Sequence, residues 1–272
     1  MSFPISPWSM LASARKHRHL IWQMTKREVI GRYQGSVMGI LWSFLNPLCM
    51  LIVYTFVFSV VFKSHWGQQT TDNKTAFALI LFAGLITFSV FSEAIGRAPG
   101  LVTANVNYVK KVVFPLEILP IVSLASVAFH MLVSISILLV AFLLFNGFIH
   151  WTVIFFPLVF VPLALFVMGL SWALASLGVY LRDVQQTMTL AITVVMFLTP
   201  IFYPITALPE RYQVYLRANP MAFFVDEARR VLVFGQMPDW TALGVATLLS
   251  LAAAWLGYAW FQKTRVGFAD VL

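Results

Sequence analysis

Side chains able to do chemistry are few in this sequence, and their spacing matters more than their number. Only 10 of the 272 residues are Asp or Glu, and 5 are His. Asp226 and Glu227 are adjacent, so on a helix they point about 100° apart and do not converge on one bond. Glu93 is the only carboxylate inside an apolar run, close to the end of that run. His130 stands apart from other titratable groups, flanked at helical spacing by Ser126 and Ser134. That stripe either lines a polar path or belongs to a core histidine bonded to a neighbouring helix. Cys49 is the single cysteine, and no His/Cys set has metal-ligand spacing. No glycine is followed by lysine, as a phosphate-binding loop requires. Catalysis, metal binding and ion relays are therefore not expected. The chain reads as no enzyme and holds no cofactor; any ATP and Mg belong on a separate partner chain.

The elements around these residues are set by composition. Hydrophobic residues make up 60% and charged ones 10%, with a mean hydropathy of +0.86. A water-soluble domain carries about 25% charged residues, and a soluble chain of this length could not hide the excess in one core. The bilayer is the solvent. Disorder, a disulfide-stapled secreted domain and a collagen-like rod are excluded. Six apolar runs read as spans, at about 39–62, 76–95, 119–145, 153–180, 188–203 and 241–261. In lipid only helices or closed barrels satisfy their own backbone, and alternating strands are absent. The expectation is an all-α polytopic membrane protein, with a cytoplasmic N-terminal segment 1–38 and a transmembrane domain 39–272.

The net charge of +8 would suggest nucleic acid in a soluble protein, but here its placement sets orientation. Twelve of the 18 basic residues (Arg15, Lys16, Arg18, Lys26, Arg27, Arg32, Arg97, Lys110, Lys111, Arg182, Lys263 and Arg265) fall on one side of the six-span arrangement. Lys63, Lys74, Arg211, Arg217, Arg229 and Arg230 fall on the other. Both termini are expected in the cytoplasm, with no cleaved signal peptide. The fifth run is short and passes through Pro200 and Pro204 into a stretch with apolar patches at 221–224 and 231–234. That stretch is either a pair of re-entrant helices beside a pathway mouth or an amphipathic loop on the outer surface.

Tyr54, Phe58 and Phe62 recur every four residues and share one helix face. Flat rings suit a passing sugar polymer, although such residues also face lipid or anchor the interface. Gly31, Gly35 and Gly39 place small residues at four-residue steps, which predicts a packing seam for this chain or a second copy. The basic, aromatic stretch from Arg15 to Tyr33 predicts an amphipathic interfacial helix. The connections 97–115 and 181–184 either dock a soluble partner or only pin orientation.

The runs Arg32–Pro47 and Lys110–Pro120 resemble the type-2 ABC permeases that export polysaccharides. So do Tyr180–Val184, Thr199–Pro204, Leu208-Pro209, Asn219–Met221 and the closing Phe268–Leu272. The likeness runs in order from about Arg32 to the end, nearest to exporters of lipid-linked O-antigen, with capsule and teichoic-acid exporters as relatives. It implies a homodimer of six-span subunits in a bacterial inner membrane, with a channel between the copies for a lipid-linked glycan. Two copies of a separate nucleotide-binding ATPase would drive it, and no nucleic acid is involved. By the same resemblance the N-terminal helix and cytoplasmic connections engage the ATPase, which makes Lys110, Lys111, Arg182 and Asp183 coupling candidates. Re-entrant helices would gate the exit. Spans one and five would line the channel, so Tyr54, Phe58, Phe62, Phe197, Phe202 and Tyr203 are candidates for sugar contact. A type-2 permease for a drug or small lipid is the alternative, distinguished by the absence of neighbouring glycosyltransferases. A membrane glycosyl- or acyltransferase is a further one, distinguished by turnover of the chain alone.

Overall fold

The computed structural model describes residues 4–57, 74–110 and 114–272. Among them all regular structure is helical, and no strand occurs. Two helices open the chain, α1 (Pro7–Lys16) and α2 (Arg18–Gly31), where one interfacial helix was expected; the chain turns between them at His17. Then follow α3 (Trp42–Tyr54), α4 (Lys74–Arg97), the short α5 (Gly100–Thr103) and α6 (Val106–Lys110), α7 (Leu119–Asn146) and α8 (Phe156–Tyr180). The last third contains α9 (Val184–Leu198), α10 (Glu210–Arg217), α11 (Pro220–Leu232), α12 (Trp240–Thr264) and α13 (Phe268–Val271).

Five segments are long and apolar enough to cross a membrane: Gly39–Val57, Thr75–Arg97, Leu116–Asn146, Trp151–Tyr180 and Trp240–Val271. Helix α9 is apolar but has 15 residues, about 22 Å at helical rise, against a hydrocarbon core of about 30 Å. It begins four residues before the expected 188 and ends five before the expected 203. The early stop is local chemistry. Pro200 disfavours the helical region for the residue before it, and Thr199 is extended at φ −95°, ψ 130°. Residues 58–62 of the expected first span lie outside the described residues.

Boundaries elsewhere follow equally local rules. Pro120 sits in the first turn of α7, where its missing N–H is not needed, and Gly147 closes that helix at φ +80°. Asn219 caps α11 by accepting from Met221 N at 3.0 Å, and Asp239 caps α12 by accepting from Ala242 N at 3.0 Å.

Helix α4 is the hub, packed by α3, α7, α8, α9 and α11, and 72% of its apolar window is buried. The corresponding figure for Gly39–Val57 is 11%, which marks α3 as peripheral. The main core joins α4, α7, α8 and α11 through residues such as Leu79, Ile86, Leu138, Leu163, Phe224 and Val231. A second cluster, including Val102, Leu116, Trp172, Tyr258 and Phe268, fills one end of the bundle. Helix α1 and the C-terminal turn meet at that end, with Met10 and Leu272 packed against the cluster. We call it the terminal end.

The three glycines expected on one helix face do not lie on one. Gly31 closes α2, while Gly35 (φ +85°) and Gly39 (φ +52°) sit in the turns before α3. The three therefore do not share a helix face, and among the described residues of this chain nothing lies within 4 Å of a Cβ built on any of them. The close helix contact is between α8 and α12. A methyl on Gly257 would strike the Gly169 carbonyl, and one on Gly169 would strike the Ala253 carbonyl.

Candidate functional site

At the terminal end, α2 packs along α7 and brings a charged strip against α4. Arg97 pairs with Glu28 at 2.9 Å and with Glu93 at 2.7 Å, and Arg32 closes the network onto Glu93. Burial raises the Glu28 carboxyl above its ordinary range, against the opposing pull of Arg97. Tyr33 Oη lies 3.3 Å from His130 Nδ1, so the histidine is a half-buried group with a partner from the turn after α2. Glu93, read from sequence as a residue near water, holds two arginines. Only its i,i+4 relation to Arg97 was visible in the sequence.

A second junction centres on Glu117, in the turn before α7. Its Oε1 accepts from Ser13 Oγ of α1 at 2.8 Å and its Oε2 from Arg265 at 2.6 Å. Trp172 Nε1 of α8 donates to the Glu117 carbonyl at 2.9 Å, and Arg265 also donates to the Phe114 carbonyl at 2.7 Å. One carboxylate thus joins the N-terminal helix, the α6–α7 connection and the C-terminal turn. Nothing in residue spacing marked Glu117 or Arg265, because the partners lie 104 and 148 residues away.

The two connections expected to dock a partner border one cavity of about 410 Å³, lined by Pro99, Gly100, Thr103, Val106, Gly178, Arg182, Gln185, Val271 and Leu272. Arg182 and Asp183 form the exposed turn between α8 and α9. Gln185 Nε2 ties the start of α9 to the Gly96 carbonyl at 2.9 Å. Lys110 ends α6, and Lys111 lies outside the described residues.

At the opposite end, Phe197, Phe202 and Tyr203 come together. The rings of Phe197 and Phe202 are 6.2 Å apart, and Tyr203 Oη donates to the Phe197 carbonyl at 2.8 Å. Tyr54, the last residue of α3, is half-buried against the main core, while Phe58 and Phe62 lie outside the described residues. Helix α9 has no buried residue, and α3 buries only Ser43 and Leu51.

Beside the trio sits an arginine that the sequence placed in a water-facing segment. Arg229 of α11 is 2% exposed. Its guanidinium donates to the carbonyls of Ile80 at 3.0 Å, Pro200 at 2.7 Å and Ile201 at 2.7 Å. It thereby satisfies the backbone that the broken end of α9 leaves open. A methyl on Gly84 would strike the guanidinium, so α4 is notched to admit it. A signal existed: Met221, Val225 and Arg229 are four residues apart and fall on the buried face of α11. Neighbouring Glu227 is also buried and accepts from Asp239 N at 3.0 Å. Among the described residues no group of three or more His, Cys, Asp or Glu could hold a metal ion.

Comparison with known proteins gives this chain a family. The family described as "ABC-2 type transporter" matches residues 19–233. The O-antigen export system permease protein RfbA of Myxococcus xanthus is 27% identical over 257 residues, 94% of this chain and 96% of that protein. RfbA of Klebsiella pneumoniae is 26% identical over 252 residues, 92% and 93% of the two chains. The polysialic acid transport protein KpsM of Escherichia coli is 22% identical over 239 residues, 87% and 90%.

Proposed function

The chain belongs to the ABC-2 type transporter family, and from that premise we propose that it is the permease subunit of an ATP-driven exporter carrying lipid-linked, O-antigen-like polysaccharide out of the cytoplasm. The observation that carries this reading is the likeness to O-antigen export permeases along nearly the whole of both chains. The terminal end, which holds the Arg32–Glu93–Arg97 strip and Arg265, faces the cytoplasm by the excess of basic residues there. Helix α9 is the fifth of six crossings, and α10 and α11 form the re-entrant pair. The burial of 9 of the 13 residues of α11 supports this, since irregular backbone at membrane depth is tolerated only inside protein or beside a wet cavity.

The channel lies between two copies of the chain, lined by α3 and α9. Set against the long apolar helices α4, α7, α8 and α12, those two bury few residues within one chain, which suits a role facing a second copy and a polymer. The aromatic trio at the end of α9 offers ring faces to sugars as they leave. A separate ATPase, in two copies, docks at the cytoplasmic end against α1–α2 and the cavity bordered by Arg182. Its closure on ATP moves the N-terminal helices and connections together, because Glu117 and Arg97 tie them to α4, α7 and α12.

Deleting the protein tests the reading. Finished lipid-linked polymer is expected to accumulate inside the cell while surface glycan disappears. Unchanged surface glycan in a strain with no second exporter overturns it.

A further inference from the structure

We propose that the cleft between α8, α11 and α12, at the end of the bundle remote from the termini, binds one zwitterionic phospholipid, with an acyl chain in the cleft and the headgroup between Arg217 and Asp239. The cleft encloses about 560 Å³, within the range of about 300–1,000 Å³ typical of small-ligand sites. Its wall on α12 is Ala242, Val245, Ala246, Leu249 and Ala253, which recur at three- and four-residue steps along one face. From Thr241 to Ala253 that face is about 18 Å long at helical rise, close to the roughly 15 Å of one leaflet of a 30 Å hydrocarbon core.

The reason a cleft exists here is visible in the packing. Backbone contact at Gly169 and Gly257 clamps α8 onto α12 below it. Above the clamp, α11 inserts beside α8 with Phe223 and Phe224, and the small side chains of Ala242 and Ala246 leave the space open. Apart from Thr241 and Ser250 the walls are apolar, and the mouth carries two opposite charges. Arg217 is exposed, and its guanidinium makes one hydrogen bond, to Gln213 Oε1 at 3.3 Å. Asp239 uses Oδ1 to cap α12. Among the described residues neither side chain forms an ion pair. A guanidinium suits a lipid phosphate, and a carboxylate beside it suits an ammonium. Both together match phosphatidylethanolamine and disfavour a headgroup that is only anionic.

Native mass spectrometry of the full-length protein, reconstituted with phosphatidylethanolamine, phosphatidylglycerol and polyprenyl phosphate and then extracted in detergent, tests this without reference to transport. The wild type is expected to retain one phosphatidylethanolamine per chain. Leu249→Trp fills the cleft from its exposed rim and should lower retention at least fivefold, while Leu248→Trp on the adjacent lipid-facing position leaves it unchanged. Arg217→Gln, on the exposed side of α10, should also lower it at least fivefold. Asp239→Asn keeps the helix cap and should abolish the preference over phosphatidylglycerol. Equal retention by wild type and Leu249→Trp, no retained lipid, or retention of phosphatidylglycerol or polyprenyl phosphate in preference each overturns the assignment.

Discussion

Arg229 shows what one buried side chain decides in this protein. A charge inside an apolar bundle is costly unless it is hydrogen-bonded, and here three carbonyls from α4 and the segment after α9 receive it. Removing it with Arg229→Met leaves the Pro200 and Ile201 carbonyls without this donor, at about 1–3 kcal/mol for each orphaned group. The expected outcome is a clear fall in the thermal unfolding midpoint in detergent, with new proteolysis around residues 199–208. Arg229→Lys should rescue little, because an ammonium lacks the planar fork that reaches separated acceptors. Wild-type stability in the lysine variant would show that charge alone, not geometry, is what the site needs. A second test at this scale concerns Glu117. Arg265→Gln breaks a largely buried pair, worth about 3 kcal/mol when one partner is lost, and should expose the C-terminal segment to carboxypeptidase.

Among the elements, the α8–α12 pair is the tightest join, and its glycines are not interchangeable with others in the same helices. Gly257→Ala forces a methyl onto the Gly169 carbonyl, and overpacking of this kind costs about 1–3 kcal/mol. Gly244→Ala, also on α12 but with nothing within 4 Å of the added carbon, should be neutral or stabilising by up to about 1 kcal/mol from helix propensity. Parallel melting curves of the two variants check this, and equal destabilisation by both would mean that helix contact is not what Gly257 provides. Short helix α9 illustrates a different control. Pro200 stops it, and its ragged end is then available to Arg229 and to the ring pair Phe197–Phe202.

At the scale of the whole molecule, the N-terminal helices, the connection after α4 and the C-terminal turn are linked through a handful of charged groups, and Gln185 ties the start of α9 to the Gly96 carbonyl, so motion applied to one is shared by the others. Arg182 occupies the exposed turn that enters α9. With the proposed ATPase partner present, Arg182→Glu is expected to leave ATP turnover running while transport falls several-fold, measured by surface glycan against phosphate release. Normal transport would remove that turn from the coupling path. Because α9 is exposed in a single chain, Phe197→Cys in a Cys49→Ser background should yield disulfide-linked dimers in membranes if two copies meet there. Monomer alone under oxidation would count against a channel at that interface.

How much of this was legible in the sequence differs by feature, for physical reasons. The apolar runs announced four of the helices long enough to cross a membrane to within a few residues, because hydrocarbon demands a fixed length of apolar helix whatever surrounds it. Local rules also set the ends: Pro200, Gly147, Asn219 and Asp239 act on their own backbone. The same rules failed where a residue's role lies in a distant partner. Gly31, Gly35 and Gly39 had the spacing of one helix face, but positive φ at two of them made turns, whereas the close helix contact within the chain formed at Gly169 and Gly257. Arg229 counted as a surface charge until α4 and the end of α9 closed around it. Composition determined that the chain lives in lipid and which stretches are helices. Only tertiary packing decided which charges are buried, which glycines touch and where α8 and α12 part, since those depend on contacts between residues tens to hundreds of positions apart.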